Sequence, residues 1–427
     1  MKADLLIQRI EENRYDNLFK DIYVDESLVE TQKQRYIKAI NKFQEIFGSG
    51  QDVLVYSVPG RSEIGGNHTD HQHGKVLACA LNLDIIGVVS PTKSEYININ
   101  SDGRRISGIK TSDLSLQKED VHSSRGLVKG VLKKVDDDFY RLGGFNGYFT
   151  SDVLVGSGMS SSAAFEVLVG TIASGLYNRF EIDPVTIAKY SQYAENVYFG
   201  KPSGLMDQMA CSVGNLISID FANIRKPLIK KIDVDFSASG YSLCIVDAKG
   251  SHASLTGDYA AIPQELKLVA EYFGKEYVSE LTYEQVMENI ADLRSKTNDR
   301  AVLRAIHVIL ENQRVDKEVE YLQKGDIASF LQVVKESGDS SYRFLQNVYS
   351  PNDPTNQSLS IALMVSEQIL KDKGVCRVHG GGFAGTIQAF VQNDFVDEYK
   401  NQIEKVFGEN TCKVLKIRKY GGIEVFK

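Results

Sequence analysis

The stretch Gly-Ser-Gly-Met-Ser-Ser-Ser-Ala-Ala at 156–164 constrains the fold more than any other part of the chain. It follows a β-like run, Asn-Gly-Tyr-Phe-Thr-Ser-Asp-Val-Leu-Val at 146–155, and leads into Ala-Ala-Phe-Glu-Val-Leu-Val-Gly-Thr-Ile-Ala at 163–173, which reads as a buried helix. Glycines let a backbone approach a ligand closely and take positive φ. Serines at a helix start supply N-caps, and the free N–H groups there attract anions. Such a strand, loop and helix start is either a capped turn or a phosphate cradle. The rest of the chain has to decide between the two.

A chain of 427 residues has room for two or three hydrophobic cores. Lys plus Arg number 49 against 56 Asp plus Glu, a formal charge of −7, and no basic cluster is visible. This argues against a nucleic-acid partner, but a phosphorylated ligand stays open because local dipoles and metal ions bind it. The five cysteines at 79, 211, 244, 376 and 412 are scattered and never spaced C-x-x-C. That fits reduced thiols in a cytoplasm better than a disulfide framework or a zinc ribbon. No signal-peptide core and no apolar run of membrane-spanning length occur, so a soluble cytoplasmic protein without a membrane partner is expected.

Tyr36, Ile37, Ile40, Phe43, Ile46 and Phe47 recur at helical spacing and stop at Gly48. A strand is expected over 52–58, then a polar loop over 61–74, then strands over 76–83, 85–89 and 96–100. Asp183-Pro184 starts a helix expected over 185–199, with N-cap and first-position proline. A loop follows at 203–208 and a strand at 215–221. The polar connection at 227–236 is where the domain change is placed, dividing the chain into 1–236 and 237–427. Beyond a strand at 241–247 and a helical stretch over 259–373, the chain closes as strand, glycine turn at 380–382, strand, helix and strand. The pattern is α+β.

The 61–74 loop sets Arg61, His68 and Asp70 among glycines, a set able to bond sugar hydroxyls. His68, Asp70, His71 and His73 carry metal-ligating atoms, but their spacing matches no common ligand pattern. Asp207 lies in an otherwise apolar segment, as a paired structural acid or a catalytic one. Glu195 on the preceding helix is an exposed carboxylate or a ligand for a hard metal. The G-x-G-x-x-G at 380, 382 and 385 precedes a strand-like run, whereas a dinucleotide fingerprint needs a helix there. Neither a Walker-type phosphate loop nor a G-x-S-x-G nucleophile elbow occurs.

Taken in order, the glycine-bearing motifs resemble those of the GHMP kinase superfamily and, within it, the galactokinases. Pro-Gly-Arg-Ser-Glu-Ile-Gly-Gly-Asn-His-Thr-Asp at 59–70 is similar to the signature PGRVNLIGEHTD. The 156–164 stretch is similar to GxGLSSSAA, and 194–208 to AENxFxGxxCGIMDQ. Val-His-Gly-Gly-Gly-Phe-Ala-Gly at 378–385 is similar to MTGGGFGG. The resemblance implies a two-lobed fold, with an N-terminal mixed sheet and helices, a C-terminal ferredoxin-like lobe, and the site in the cleft between them. It implies that Gly156, Ser157, Gly158, Met159, Ser160, Ser161 and Ser162 wrap the phosphates of ATP, and that Ser162 and Glu195 hold Mg²⁺. Asp207 would face the anomeric hydroxyl of the sugar as base or electrostatic guide, with Arg61 stabilising it and the transferring phosphoryl group. Asn67, His68, Thr69, Asp70, Gly204 and Tyr259 would line the sugar pocket.

Asn67 stands where the family usually carries Glu, a residue that meets the sugar's C6 hydroxymethyl. Asn can still bond a hydroxyl, but loss of the carboxylate would also admit a sugar acid. Two like charges at about 4 Å cost roughly 4 kcal/mol at an effective dielectric of 20, close to a thousandfold in affinity. Asp70-His-Gln72 is similar to the plant galacturonic acid kinases. Tyr259 is followed by Ala-Ala-Ile-Pro263 instead of Asn-x-Arg-Arg, and Val155 replaces a usual proline. The resemblance therefore implies a galactose 1-kinase, with a galacturonate kinase and a non-catalytic sugar sensor as alternatives.

Overall fold

The computed structural model describes residues 1–153, 159–234, 236, 238–250 and 255–426. Gly156, Ser157 and Gly158 of the expected nucleotide loop lie outside the described residues.

The larger of two sheets is built from β1 (Leu54–Gly65), β2 (Lys75–Pro91), β3 (Tyr96–Ser101), β4 (Arg104–Lys110), β5 (Phe145–Ser151), β6 (Leu216–Asp220) and β7 (Leu228–Ile232). The smaller has β8 (Tyr241–Asp247), β9 (Gly374–Val378), β10 (Thr386–Gln392) and β11 (Cys412–Leu415), while β12 (Ile423–Glu424) returns to the larger. The large sheet runs β12-β1-β2-β5-β3-β4, with β6 and β7 branching from β2. It is mixed because β3 and β5 are parallel while the other pairs are antiparallel. The small sheet is antiparallel in the order β11-β8-β10-β9.

Alternation along the strands divides the apolar side chains between the two faces. Tyr56, Val58, Ile85 and Val89 pack with the helices Ser124–Asp137 and Ser161–Asn178, whereas Val55, Ile86 and Val88 pack with the N-terminal helix Val29–Phe47. A further core spans both sheets, joining Ile64, Leu77, Val153 and Met159 to Leu243, Phe330 and Phe390. This shared core fixes the strand end near 153 and the helix start near 160 against the second lobe.

Several local expectations are met for visible reasons. The helix Pro184–Tyr193 is capped by the Asp183 side chain, which accepts from Val185 N and Thr186 N. The helix Val29–Phe47 ends at Gly48 with φ 96°. Others are corrected. The expected strands at 76–83 and 85–89 are one strand, because Asp84 is buried with two arginine partners and does not break it. Residues 61–65 extend β1 and do not open the loop. The polar connection at 227–236 contains β7, an edge strand with Lys230 and Lys231 exposed. The helix expected to reach Phe199 changes to a π-helical turn at Ala194–Phe199.

All five cysteines are buried and free. Among the described residues no helix is long and apolar enough to cross a membrane.

Candidate functional site

Arg61 is carried inward by β1 and is 6% exposed. Its Nε donates to Asp207 Oδ1 at 2.7 Å and its Nη2 to Asp207 Oδ2 at 2.9 Å. Asp207 lies in the first turn of the helix Met206–Val213, where the helix dipole favours a negative charge. Its side chain keeps 31% exposure, so the carboxylate faces open space while its partner is sealed beneath it. Burial pushes this carboxyl up, but the charge and hydrogen bonds of Arg61, with a bond from Ser160, outweigh it and hold Asp207 below the usual range.

Ser160 precedes the helix Ser161–Asn178 in left-handed conformation, φ 56°. Its hydroxyl makes no cap bond; it donates to Asp207 Oδ2 instead. The segment leading into this helix runs close to β1, with Arg61 N donating to Met159 O at 3.3 Å. A Cβ at Gly60 would meet Met159 O at 3.1 Å, which accounts for a glycine beside Arg61.

Two residues on from Ser160, Ser162 Oγ donates to Glu195 Oε1 at 3.3 Å. Glu195 projects from the π-helical turn and is 3% exposed. Such turns concentrate at functional sites. Lys201 Nζ reaches Glu195 Oε1 at 3.0 Å, and Gln208 Nε2 reaches Oε2 at 2.8 Å. Gln208 also approaches Glu166 Oε2 at 3.4 Å. Burial, then the charge of Glu195, pushes the Glu166 carboxyl well above its ordinary value, and its Oε1 has no hydrogen-bond partner. Lys201, Gln208 and Glu166 were not singled out from sequence, although Gln208 is part of the motif containing Asp207.

On the other side of Asp207 lies the 66–74 loop. Asp70 is 12% exposed at its side chain, and a Cβ at Gly204 would fall 1.8 Å from Asp70 Oδ2. Only glycine at 204 lets the segment before Asp207 pass this carboxylate. His68 Nε2 donates to Gly381 O at 3.0 Å, and burial lowers its imidazole to about 3, so the ring is neutral. Tyr259 donates to Gly382 O at 2.7 Å with its ring edge-on to Phe383.

Two residues expected in the sugar pocket are buried and bonded within the protein. Thr69 is fully buried, its Oγ1 2.8 Å from Gly66 O and 2.5 Å from Lys75 O, so its single hydroxyl proton is shared between the two carbonyls of the turn. Asn67 is also fully buried, with both side-chain polar atoms bonded inside the protein. Among the described residues no group of three or more His, Cys, Asp and Glu side chains is placed to hold a metal ion.

The arrangement brings together the serines at a helix start, an Arg-held carboxylate and the polar 66–74 loop. Comparisons with known proteins identify relatives of the chain in sequence and in fold. Residues 41–91 match the galactokinase galactose-binding signature, and residues 126–215 match the GHMP kinases N terminal domain. The chain is 30% identical over 377 residues to the galactokinase of Actinobacillus pleuropneumoniae serotype 3 (strain JL03), covering 87% of this chain and 94% of that protein. It is 28% identical over 370 residues to the galactokinase of Clostridium tetani, covering 86% and 91%. In fold it is similar to Lactococcus lactis galactokinase complexed with galactose, with TM-score 0.77 at 21% identity over 90% of this chain and 98% of the other. Methanococcus jannaschii mevalonate kinase follows with TM-score 0.60 at 15% identity, covering 86% and 98%.

Proposed function

Because the chain belongs to the galactokinase family of the GHMP kinases, we propose that it transfers the γ-phosphoryl group of ATP to the anomeric hydroxyl of galactose, giving galactose 1-phosphate and ADP. The observation that carries this is the two-point Arg61–Asp207 pair, placed between the serines at the helix start and the Asp70 loop. Phosphoryl transfer asks for positioning and charge neutralisation more than for covalent chemistry, and these residues offer both.

Asp207, held ionised, accepts a hydrogen bond from the anomeric hydroxyl and aims its oxygen at the phosphorus. A carboxylate with a depressed pKa is a weak base, so it guides the hydroxyl first. It takes the proton late, as the new O–P bond forms and the bond to ADP breaks. Arg61 fixes the orientation of Asp207 and adds positive charge beside the transferring group. His68, Asp70 and Gly204 form the sugar side, with Tyr259 bracing the glycine turn behind it. Ser160, Ser161 and Ser162 present the helix start to the phosphates.

Ser162 and Glu195 lie together and offer only oxygen donors, which is the chemistry Mg²⁺ would take. Those two residues would hold the ion, which neutralises phosphate charge when bound.

A panel of hexoses assayed for sugar-dependent ADP release tests this function. Turnover with galactose and little with glucose or mannose is expected. A clear preference for galacturonate would replace galactose as the substrate. Saturable binding of sugar and ATP without turnover would make the protein a sensor.

A further inference from the structure

Residues 63 and 67 carry an exchange. The signature PGRVNLIGEHTD has Asn at the place of Glu63 and Glu at the place of Asn67, whereas this chain has the acid first and the amide second. The two exchanged side chains bond each other, Asn67 Nδ2 donating to Glu63 Oε1 at 3.0 Å. Glu63 is in turn held by Arg377, which is fully buried and donates from Nη2 at 2.6 Å. Residue 65 changes with them. Gly65 replaces the Ile of the signature, and a Cβ there would lie 1.8 Å from Glu318 Oε2. The wall behind the loop is thus rebuilt around buried acids.

Asn67 uses every polar atom it has. Nδ2 also donates to Gly380 O at 2.7 Å. Oδ1 accepts from Asn347 Nδ2 at 2.9 Å and from Ser341 Oγ at 3.2 Å. On the backbone, Asn67 N and Gly66 N both donate to Glu311 Oε1 at 3.2 Å, and His307 Nε2 donates to Asn67 O at 3.1 Å. A carbonyl only accepts, so the atom facing Gly380 O has to be the amide nitrogen. A carboxylate at 67 would have nothing to donate there. Apart from Glu63, every partner comes from the C-terminal half of the chain.

We infer that Asn67 is a positioning residue that locks the sugar loop onto the C-terminal lobe, with Glu63 as its exchanged partner, and that it makes no contact of its own with the sugar. The inference rests on the assignment of residues 66–70 as the sugar loop. His68 and Asp70 are the side chains of that loop left to meet the sugar, and their placement depends on a turn tied to Gly380, Ser341 and Asn347.

Steady-state kinetics with both substrates varied tests this. Asn67→Asp keeps the shape but removes both donated bonds and sets a second acid beside Glu63. An unsatisfied buried group of this kind corresponds to about tenfold or more, so the KM for sugar rises by that amount while the KM for ATP stays within about twofold. Glu63→Gln/Asn67→Asp moves the acid across the pair and restores a donor between the two side chains. The double variant should recover at least about threefold of the lost sugar KM, a non-additivity expected of touching residues. Ser341→Ala removes a single bond to Asn67 Oδ1, raises the sugar KM about threefold, and serves as the decisive variant if Asn67→Asp does not fold.

Sugar and ATP KM rising together, or a double variant equal to the product of its singles, would overturn the inference. His68→Ala and Asp70→Asn are made alongside. If neither changes the sugar KM, the sugar loop itself is misassigned and the positioning role falls with it.

Discussion

Arg61 and Asp207 are 146 residues apart in sequence and meet through two parallel hydrogen bonds of 2.7 and 2.9 Å. The arginine is buried and the acid is partly exposed, so only the acid end of the pair is open to a ligand. Asp207→Asn removes the charge proposed to orient the sugar hydroxyl and the two charge-assisted bonds to the buried guanidinium. Arg61→Ala removes the support and the positive charge together. Each is expected to lower kcat by about 100-fold or more, in the range seen when one preorganised electrostatic group is deleted. Circular dichroism should show the fold retained. Turnover near the parent level in both variants would remove these two residues from the chemistry.

The same pair predicts a pH profile. The Asp207 carboxyl is depressed in the folded protein, so it stays ionised from neutral pH down to its ordinary value of about 3.9 and below. No acid limb due to Asp207 is expected in kcat/KM between pH 8 and about 5. The stabilisation from the pair is present above the unfolded value and is lost as pH falls through the lower folded one. Ser160→Ala deletes one of the bonds that depress it, and should move the acid limb upward. An unchanged limb in that variant would mean the serine does not tune the acid.

Lys201 suggests how the proposed metal ligand is kept in order. Its ammonium lies 3.0 Å from Glu195 Oε1, the oxygen that also faces Ser162, although the lysine side chain is 60% exposed. The lysine end of the pair is in solvent while Glu195 is buried, so it is worth about 1 kcal/mol, the upper end of the range for surface pairs, and a divalent ion can displace it. Lys201→Met should lower the Mg²⁺ concentration giving half-maximal turnover by roughly two- to fivefold. A tenfold rise in the KM for ATP instead would show that the ammonium serves the phosphates.

Local features of this chain were legible from sequence, and long-range ones were not. Gly48 and Asp183-Pro184 carry their own reasons for ending and starting helices, and no distant residue is needed to see them. Asp84 looked like a break between two strands because its partners, Arg35 and Arg418, lie 49 and 334 positions away. The lysines of β7 hid an edge strand, since an edge tolerates charge that a central strand does not. Asn67 looked like a sugar ligand, and nothing nearby in sequence shows that His307 and Gly380, 240 and 313 positions on, engage it. The π-helical turn at Glu195 likewise follows from packing, with no local pattern to announce it.

Asp84 provides a test of stability far from the proposed chemistry. It sits at the middle of β2 with no exposure and accepts from Tyr23 at 2.8 Å, Arg35 at 2.5 Å and Arg418 at 3.0 Å, with Ser57 as a further donor. These partners come from the N-terminal helices, β1 and the segment leading to β12, so one carboxylate joins both ends of the chain to the large sheet. Burial acts to raise its pKa, and the two arginines hold it below the ordinary value. Asp84→Asn keeps the size but takes the carboxylate partner from the buried Arg418 and leaves Arg35 with only the half-exposed Asp152. Breaking a buried pair in this way costs about 3–5 kcal/mol, which corresponds to a fall of roughly 3–6 °C in Tm for a protein of this size. Below the denaturation range, KM for both substrates should hold, because Asp84 touches neither the Asp207 pair nor the sugar loop. A loss under about 1 kcal/mol in urea unfolding would show that the arginines find other partners and that the chain ends are secured elsewhere.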